Sequence, residues 1–190
     1  MDQLALAEQQ KYERMWAFHE YRDDHATAHA CAALVQLAPA PGDSVIDFGA
    51  GAGYASRYLH DAGLSVLAVD IAPNALAPDI AARVPCVVGN LWDLPSGLVA
   101  DWGLCCDVME HIPTEKVDAV LRTLRRCTRR AIYFSMALRP DGCDRPIGES
   151  LRLTVQPLEW WMSRLSTHWP RIDVLRHAPE WSVDLVAAVD

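Results

Sequence analysis

The sequence predicts an α/β fold, a three-layer sandwich in which helices cover both faces of a seven-stranded, mainly parallel sheet with an antiparallel C-terminal strand. Three observations favour this fold class. Short apolar runs typical of buried strands alternate with helical segments after residue 43. The glycine-rich turn FGAGAG follows the first of these runs. The last two runs are joined by a short link, which predicts an antiparallel pair at one edge of the sheet.

The predicted elements follow from local patterns along the chain. The N-terminal segment is rich in Ala, Leu, Glu and Gln, and its second helix ends at the turn APAPG, residues 38–42. Gly63 closes the next helix, Pro78 interrupts the one after it, and Val117 and Val120 begin an apolar face at helical spacing. The strands are predicted at residues 44–48, 65–70, 85–89, 101–107, 131–137, 171–178 and 181–189. The helices are predicted at residues 3–21, 24–37, 54–63, 73–84, 113–127 and 156–169.

The length of 190 residues suits one domain with a core of its own, and we predict a single domain over residues 1–190. Within it, residues 1–40 hold the N-terminal helices and residues 43–136 hold the alternating strands and helices. Residues 137–155 form a long polar loop that contains Gly and Pro. No internal repeat or low-complexity tract interrupts this order.

The net charge of −8 argues against broad electrostatic attraction to nucleic acid or to an anionic membrane. No apolar stretch approaches the ~20 residues that span a bilayer, and the N-terminal residues lack the basic and apolar regions of a signal peptide. We therefore expect a cytoplasmic protein. The six cysteines show no paired spacing, so we interpret them as buried thiols and not as zinc ligands or disulfides.

An acid and three glycines mark the end of the first strand, as Asp47, Gly49, Gly51 and Gly53. In open α/β sheets, ligands bind beyond the carboxyl ends of the strands, where the strand order reverses. Glycine removes the side chains that would keep a ligand from the backbone, and it allows positive φ. A dinucleotide fingerprint would read G-x-G-x-x-G, whereas this chain has D-x-G-x-G-x-G. The carboxylate of Asp47 would repel a pyrophosphate and favour a ligand with an ammonium group and a sulfonium.

The stretch VIDFGAGAGYAS, residues 45–56, resembles the first motif of the class I S-adenosylmethionine-dependent methyltransferases. The resemblance continues through residues 43–136, which it identifies as the cofactor-binding core of a Rossmann-like fold. It implies S-adenosylmethionine as the cofactor, held by Asp47 and the three glycines. It also implies that residues 1–40 are part of the substrate cover and that residues 137–155 are the acceptor-side loop.

The stretch VLAVDIAPNAL, residues 66–76, is similar to the second motif of the same family. The resemblance implies that Asp70, at the end of the second strand, accepts hydrogen bonds from both ribose hydroxyls and that Ile71 also contacts the cofactor. Asp70 follows the glycine turn by about twenty residues, the spacing expected of a ribose-binding carboxylate.

Two further stretches carry the resemblance. VVGNLWDLP looks like the third motif, which implies that Asn90 meets the adenine amino group while Leu91 and Trp92 meet its ring. CCDVMEHIP looks like the motif after the fourth strand in methyltransferases of small molecules. This motif implies that Asp107 lies next to the cofactor.

Methyl transfer from a sulfonium is an in-line displacement, so the protein mainly has to align the reacting atoms. A hydroxyl or ammonium nucleophile also has to lose a proton. We interpret His111 as the catalytic base and Glu110 as its orienting partner or as the base itself. Two alternatives remain: the pair shapes the pocket, or D-x-x-E-H holds a divalent ion, as E-x-x-E-H does in relatives of the ubiquinone-biosynthesis O-methyltransferases. We predict no metal, because Asp107 shortens the first arm of that motif.

We expect the N-terminal segment and the acceptor-side loop to determine which acceptor binds. Tyr12, Trp16 and Phe18 lie in the N-terminal segment, and in this fold that segment and the acceptor-side loop commonly close over the acceptor. These aromatic side chains either pack on the domain, which we favour, or contact the substrate directly. The charged residues of the loop are Arg139, Asp141, Arg145, Glu149 and Arg152. We predict an S-adenosylmethionine-dependent methyltransferase acting on a small-molecule O or N acceptor. The alternatives are methylation of a nucleic acid or a protein side chain, and a catalytically inactive protein that binds S-adenosylmethionine.

Overall fold

Seven strands form one sheet, and helices pack on both of its faces. The computed structural model describes residues 3–22, 24–140 and 147–190. The strands are β1 (Ser44–Phe48), β2 (Ser65–Asp70), β3 (Cys86–Val88), β4 (Ala100–Cys106), β5 (Thr128–Ala137), β6 (Arg171–Ala178) and β7 (Ser182–Ala188). The helices are α1 (Gln3–Met15), α2 (Ala26–Leu37), α3 (Tyr54–Asp61), α4 (Pro78–Ala81), α5 (Val117–Cys127) and α6 (Leu158–Leu165). Short 3₁₀ turns lie at His19–Tyr21, Met109–His111 and Thr114–Lys116.

The strand order is β3-β2-β1-β4-β5-β7-β6. Neighbouring strands from β3 to β5 pair in parallel, whereas β7 runs antiparallel to β5 on one side and to β6 on the other. This arrangement confirms the predicted Rossmann-like α/β sandwich, its antiparallel C-terminal strand and the strand pair at one edge. Because the strand order reverses at β1, the carboxyl ends of β1, β2 and β4 lie around one crevice.

Several element boundaries differ from the sequence prediction, and three of them change how neighbouring elements connect. Helix α1 ends at Met15, before the predicted end at residue 21. Pro78 occupies the first turn of α4 and leaves only the short helix Pro78–Ala81, because proline starts a helix more readily than it continues one. Strand β5 begins at Thr128, whose extended φ of −119° and ψ of 124° join α5 to the strand directly. None of the described helices is long and apolar enough to cross a membrane.

Two apolar cores lie on opposite faces of the sheet. One contains Phe48 and Trp161 together with the buried face of α5, including Val120. The other contains Ala30 of α2 and Leu59 of α3. The apolar stripe predicted for α5 is therefore confirmed, and its arginines lie outside the core. The two cores fix the sheet between its helices and leave the carboxyl edge of the strands for the polar residues described below.

The cysteines have different environments. Cys105 and Cys127 are buried, as predicted, whereas Cys31 and Cys86 are exposed. The interpretation of all cysteines as buried thiols is therefore wrong for these two. Cys86 is exposed because β3, on which it lies, is an edge strand of the sheet.

Candidate active site

A cavity of about 340 Å³ opens at the carboxyl edge of the sheet. Its floor consists of the turns that follow β1, β2, β3 and β4, and helix α1 forms its roof. One wall is the acceptor-side loop, at Leu151 and Arg152. A cavity of this volume lies within the range typical of small-molecule sites.

The three glycines after β1 all have positive φ, with values of 76° at Gly49, 55° at Gly51 and 89° at Gly53. If these glycines carried Cβ atoms, those atoms would meet side chains of the protein itself. A Cβ on Gly49 would overlap Val108, and one on Gly53 would lie 2.6 Å from Leu76. These two glycines are therefore required by packing within the protein.

Gly51 faces the roof of the cavity. A Cβ at this position would lie 3.0 Å from two ring carbons of Trp16, which also lines the cavity. The N-terminal segment therefore lies directly on the glycine turn. The sequence predicted that Trp16 packs on the domain but did not indicate the glycine turn as its partner.

Asp47 lies beneath the glycine turn. Ser56 on α3 donates a hydrogen bond of 2.6 Å to its Oδ2, and the side chain is buried. Burial raises the pKa of Asp47 to about 6, the charge of Asp70 adds to the increase, and the bond from Ser56 opposes it. Asp47 is absent from the described residues that line the cavity, so its geometry is that of a support for the turn.

Asp70 connects the turns that follow β1 and β2. Its Oδ2 accepts a hydrogen bond of 2.8 Å from the amide of Gly51, and its Oδ1 accepts one of 2.9 Å from the amide of Ala72. Burial raises the pKa of Asp70, although these backbone bonds oppose the increase. Asp70 and Ile71 both line the cavity, where the carboxylate can accept further hydrogen bonds from a ligand.

Asn90 contributes a buried acceptor at one end of the cavity. It follows β3, lines the cavity together with Leu91 and Trp92, and is 5% exposed. Its Oδ1 has no hydrogen-bond partner among the described residues. A buried carbonyl oxygen without a donor is costly, and the amino group of an adenine would supply that donor. This observation shows that the residues present fit the cofactor implied by the resemblance.

His111 lines the cavity after β4, and its ring is oriented by the acceptor-side loop and the roof. Its Nδ1 lies 3.0 Å from the carbonyl oxygen of Leu151 and 3.0 Å from Oη of Tyr12. Because a carbonyl oxygen can only accept, Nδ1 carries the proton in this arrangement, and Nε2 is the basic nitrogen of the neutral ring. Tyr12 also donates to the Leu151 carbonyl at 3.3 Å.

Glu110 is directed away from the cavity, although it adjoins His111 in sequence. Its Oε1 accepts a hydrogen bond of 3.0 Å from the amide of Ala137, and its side chain is 0% exposed. Burial raises the pKa of Glu110 to about 7, and the charge of Asp107 adds to the increase. Leu151 and Tyr12 make the contacts that orient the His111 ring, a role that the sequence predicted for Glu110.

Asp107 lies at the mouth of the cavity in a backbone conformation that is rare for residues other than glycine, with φ of 54°. Its carboxylate is 49% exposed, and Oδ2 lies 3.1 Å from Nε2 of His29 on α2. Burial acts to raise the pKa of Asp107, but the hydrogen bond and the charge of His29 outweigh it and lower the pKa. The same hydrogen bond raises the pKa of His29. No sequence motif contains His29, so this pair could not be identified without the fold.

The D-x-x-E-H stretch does not converge on one point. Asp107 pairs with His29, Glu110 accepts from Ala137, and His111 contacts Leu151. Within residues 3–22, 24–140 and 147–190, no group of three or more His, Cys, Asp or Glu side chains is arranged to hold a metal ion.

Hydrogen bonds and an ion pair hold the N-terminal segment in place on two sides of the cavity. Arg22 donates to the carbonyl oxygens of Trp16 and Asn74, both through Nη2, at 2.8 Å and 2.7 Å. Arg14 forms an ion pair with Glu149 of the acceptor-side loop. These contacts hold the N-terminal segment over the cavity.

The remaining residues named for the cover have separate positions. Phe18 is 39% exposed. Arg139 stacks on Trp181, with its guanidinium carbon 4.2 Å from the ring centroid. Arg152 lines the cavity. Asp141 and Arg145 lie outside the described residues.

The comparisons with known proteins agree with this geometry. The family model described as Methyltransferase domain matches residues 18–176. Magnesium protoporphyrin IX methyltransferase from Synechocystis PCC 6803, solved with bound SAH, is 24% identical over 87% of this chain and 83% of that chain, with a TM-score of 0.67. A protein from Pyrococcus horikoshii OT3 is 18% identical over 90% of this chain and 95% of that chain, with a TM-score of 0.68.

A third structure is that of a putative methyltransferase solved in complex with a Haloferax volcanii methyltransferase activator. It is 16% identical over 95% of this chain and 96% of that chain, with a TM-score of 0.73. At these identities the likeness to solved structures shows a common fold. No curated protein has significant sequence similarity to the chain.

Proposed function

The chain belongs to the methyltransferase domain family, and from this premise we propose that it methylates a hydroxyl or amino group of a small molecule. The enzyme is an S-adenosylmethionine-dependent methyltransferase. The proposal concerns the acceptor and the residues that act on it. It is supported by the cavity of about 340 Å³ enclosed between the carboxyl edge of the sheet and the roof.

S-adenosylmethionine supplies an electrophilic methyl group on a sulfonium. We propose that Asp70 and Ile71 hold its ribose, and that Asn90, Leu91 and Trp92 hold its adenine. The unpartnered Oδ1 of Asn90 supports the adenine assignment, because the adenine amino group is a donor. Asp70 supports the ribose assignment because its carboxylate lines the cavity between the turns after β1 and β2.

The glycine turn and two acids complete the proposed cofactor site. Gly49 lines the cavity directly, and Gly51 keeps the turn close to the roof. Gly53 and Asp47 support the turn from below, through Leu76 and Ser56 respectively. Asp107 lines the mouth of the cavity, where its carboxylate would attract the positive charge of the cofactor.

We propose His111 as the general base. The Leu151 carbonyl fixes the proton on Nδ1, so Nε2 is the ring nitrogen that would remove a proton from the acceptor. Tyr12 holds the ring from the roof, so closure of the roof and orientation of the base are coupled. Glu110, the earlier candidate for this positioning role, is proposed to act through the acceptor-side loop, since its backbone carbonyl accepts from the amides of Leu153 and Thr154.

A small acceptor is favoured over a macromolecule by the roof and by charge. The N-terminal segment that contains helix α1 covers the cavity and is tied to Asn74 through Arg22 and to Glu149 through Arg14. A nucleotide within a polymer or a side chain of a folded protein would have to displace this cover. The net charge of −8 also opposes binding to a polyanion.

The test measures transfer of a labelled methyl group from S-adenosylmethionine to the components of a cell extract. Ultrafiltration separates the extract into small molecules and macromolecules. We expect label from S-adenosylmethionine to appear in the small-molecule fraction and not in retained nucleic acid or protein. The His111→Ala variant is the control for uncatalysed transfer. Label confined to the retained fraction would replace the small acceptor with a macromolecule. Binding of SAH without transfer to either fraction would indicate an inactive cofactor-binding protein.

A further inference from the structure

Arg152 is a fixed part of the cavity wall. The segment that carries it is bonded to the turn after β4, because the amides of Leu153 and Thr154 donate to the Glu110 carbonyl at 2.8 Å and 2.9 Å. The Thr154 hydroxyl adds a bond of 2.7 Å to the carbonyl of Ile112. The Arg152 side chain lines the cavity and is 16% exposed.

The protein satisfies little of the hydrogen-bonding capacity of Arg152. A guanidinium has five N–H donors. Among the described residues, the Arg152 guanidinium donates one hydrogen bond, from Nη1 to the carbonyl of Arg139 at 3.1 Å, and its buried Nε has no hydrogen-bond partner. Burying a cation whose N–H donors lack acceptors costs free energy. A ligand that accepts these hydrogen bonds therefore binds with a more favourable free energy.

Glu110 does not form a close ion pair with the Arg152 guanidinium. Its Oε1 lies 3.9 Å from Nε of Arg152, which is too long for a hydrogen bond, and Oε1 already accepts from Ala137. With its pKa raised to about 7 by burial, Glu110 is also partly protonated near neutral pH. Among the described residues, no carboxylate therefore lies within hydrogen-bond distance of the guanidinium, although its charge acts to lower the pKa of both Glu110 and Asp107.

Among the described residues, none of the acids that line the cavity forms an ion pair with Arg152. Glu8 pairs with Lys11 at 2.5 Å, and Asp107 pairs with His29. Asp70 accepts from two backbone amides. Arg152 is the one arginine or lysine among the described residues that line the cavity. An anion inside the cavity would therefore be drawn to this position.

We propose that Arg152 is a subsite for a carboxylate on the acceptor, which deepens the proposed function and rests on it. Arginine binds carboxylates through two parallel hydrogen bonds, which also fix their orientation. Leu151, the preceding residue, orients His111 through its carbonyl. A carboxylate held by Arg152 is thus held next to the residue that orients the base. The acceptor class is an acidic small molecule that carries a hydroxyl or amino group as well.

The test measures binding of two carboxylate probes and their neutral amides by calorimetry, with and without saturating SAH. The pairs are benzoate with benzamide, and indole-3-acetate with indole-3-acetamide. We expect the protein to bind at least one carboxylate about tenfold or more tightly than its amide, and Arg152→Gln to abolish that preference. Arg139→Gln is the matched control, since it removes the same charge from an exposed side chain that stacks on Trp181. Arg152→Met serves if the glutamine variant does not fold.

Three results would overturn the subsite. They are equal affinity for each carboxylate and its amide, an unchanged carboxylate preference in the folded Arg152 variants, and a tenfold loss of SAH affinity in those variants. The last result would assign Arg152 to the carboxylate of the cofactor. Failure of the proposed function has a different signature, because a protein that does not bind SAH, or that labels only macromolecules, can still prefer the carboxylate probes.

Discussion

At the proposed cofactor end of the cavity, Asp70 ends β2 and Asn90 follows the adjacent parallel strand β3. At the proposed acceptor end, Tyr12, His111 and Leu151 come from the roof, the turn after β4 and the acceptor-side loop. The first group is positioned by the sheet itself. The second is held by contacts between distant segments, as in the pair of Tyr12 and His111, 99 residues apart. Because of this difference, we expect substitutions at one end to impair its function without changing that of the other end.

The largest expected effect separates chemistry from cofactor binding. His111→Ala should lower kcat by about 10²–10⁴, the usual contribution of a general base, because Nε2 is lost. SAH affinity should stay within about threefold of the wild type, since the strand ends at the cofactor end are untouched. Steady-state kinetics with the acceptor identified by label transfer, together with calorimetry, gives both quantities. A near-normal kcat with only a raised acceptor KM would make His111 a wall of the pocket.

The reverse separation is expected at Asp70. Asp70→Ala removes the carboxylate assigned to the ribose, and charge-assisted hydrogen bonds contribute ~1.5–3 kcal/mol, so SAH affinity should fall at least tenfold. The variant also removes the acceptor for the amide of Gly51. Calorimetric titration with SAH provides the measurement, and Asp79→Ala, at a largely exposed carboxylate, provides the control. Unchanged affinity in a folded Asp70 variant would contradict the ribose assignment.

Glu110 offers a test of the acceptor end through stability. Its pKa rises by burial from an ordinary 4.5 to about 7, so the folded state binds more protons than the unfolded state between these values. The free energy of unfolding contributed by this group is therefore present at low pH and is lost as pH rises through about 7. The loss should be on the order of 1–3 kcal/mol.

Urea denaturation at pH 5 and pH 8 measures this loss. Glu110→Gln should flatten the dependence while keeping the bond to Ala137, because the amide oxygen still accepts. Asp47, with its pKa raised to about 6 by burial, contributes a slope of the same sign that persists in the variant. An equal loss of stability in wild type and variant would show that Glu110 is ionised throughout the range.

These predictions also mark how far the sequence determines the site. The positions of Asp70 and Asn90 at the carboxyl edge of the sheet could be predicted because a motif and a strand end coincide within a few residues. The partners of His111 could not, because the sequence pointed to the adjacent Glu110, whereas the fold directs that side chain to Ala137. Contacts between segments far apart depend on how α1 and the acceptor-side loop pack. No local pattern encodes that packing.

The smallest expected effect concerns Asn90. Its buried Oδ1 has no hydrogen-bond partner within the part of the chain that the structure describes, so Asn90→Leu should leave the cofactor-free protein equally stable or more stable. The same change should lower SAH affinity by about fivefold to tenfold, because the donor on adenine then has no acceptor. Thermal melts with and without SAH separate the two effects. Lower stability in the absence of SAH, with unchanged affinity, would show that Asn90 has only a structural role.

The central claim is that one cavity binds the cofactor at the strand ends and the acceptor beneath the roof. A crystal structure with SAH tests it most directly. We predict the ribose hydroxyls within hydrogen-bond distance of the Asp70 carboxylate, the adenine amino group at Oδ1 of Asn90, and the sulfur on the side of the cavity that His111 lines. SAH bound elsewhere, or with its adenine against His111, would contradict the assignment of both ends.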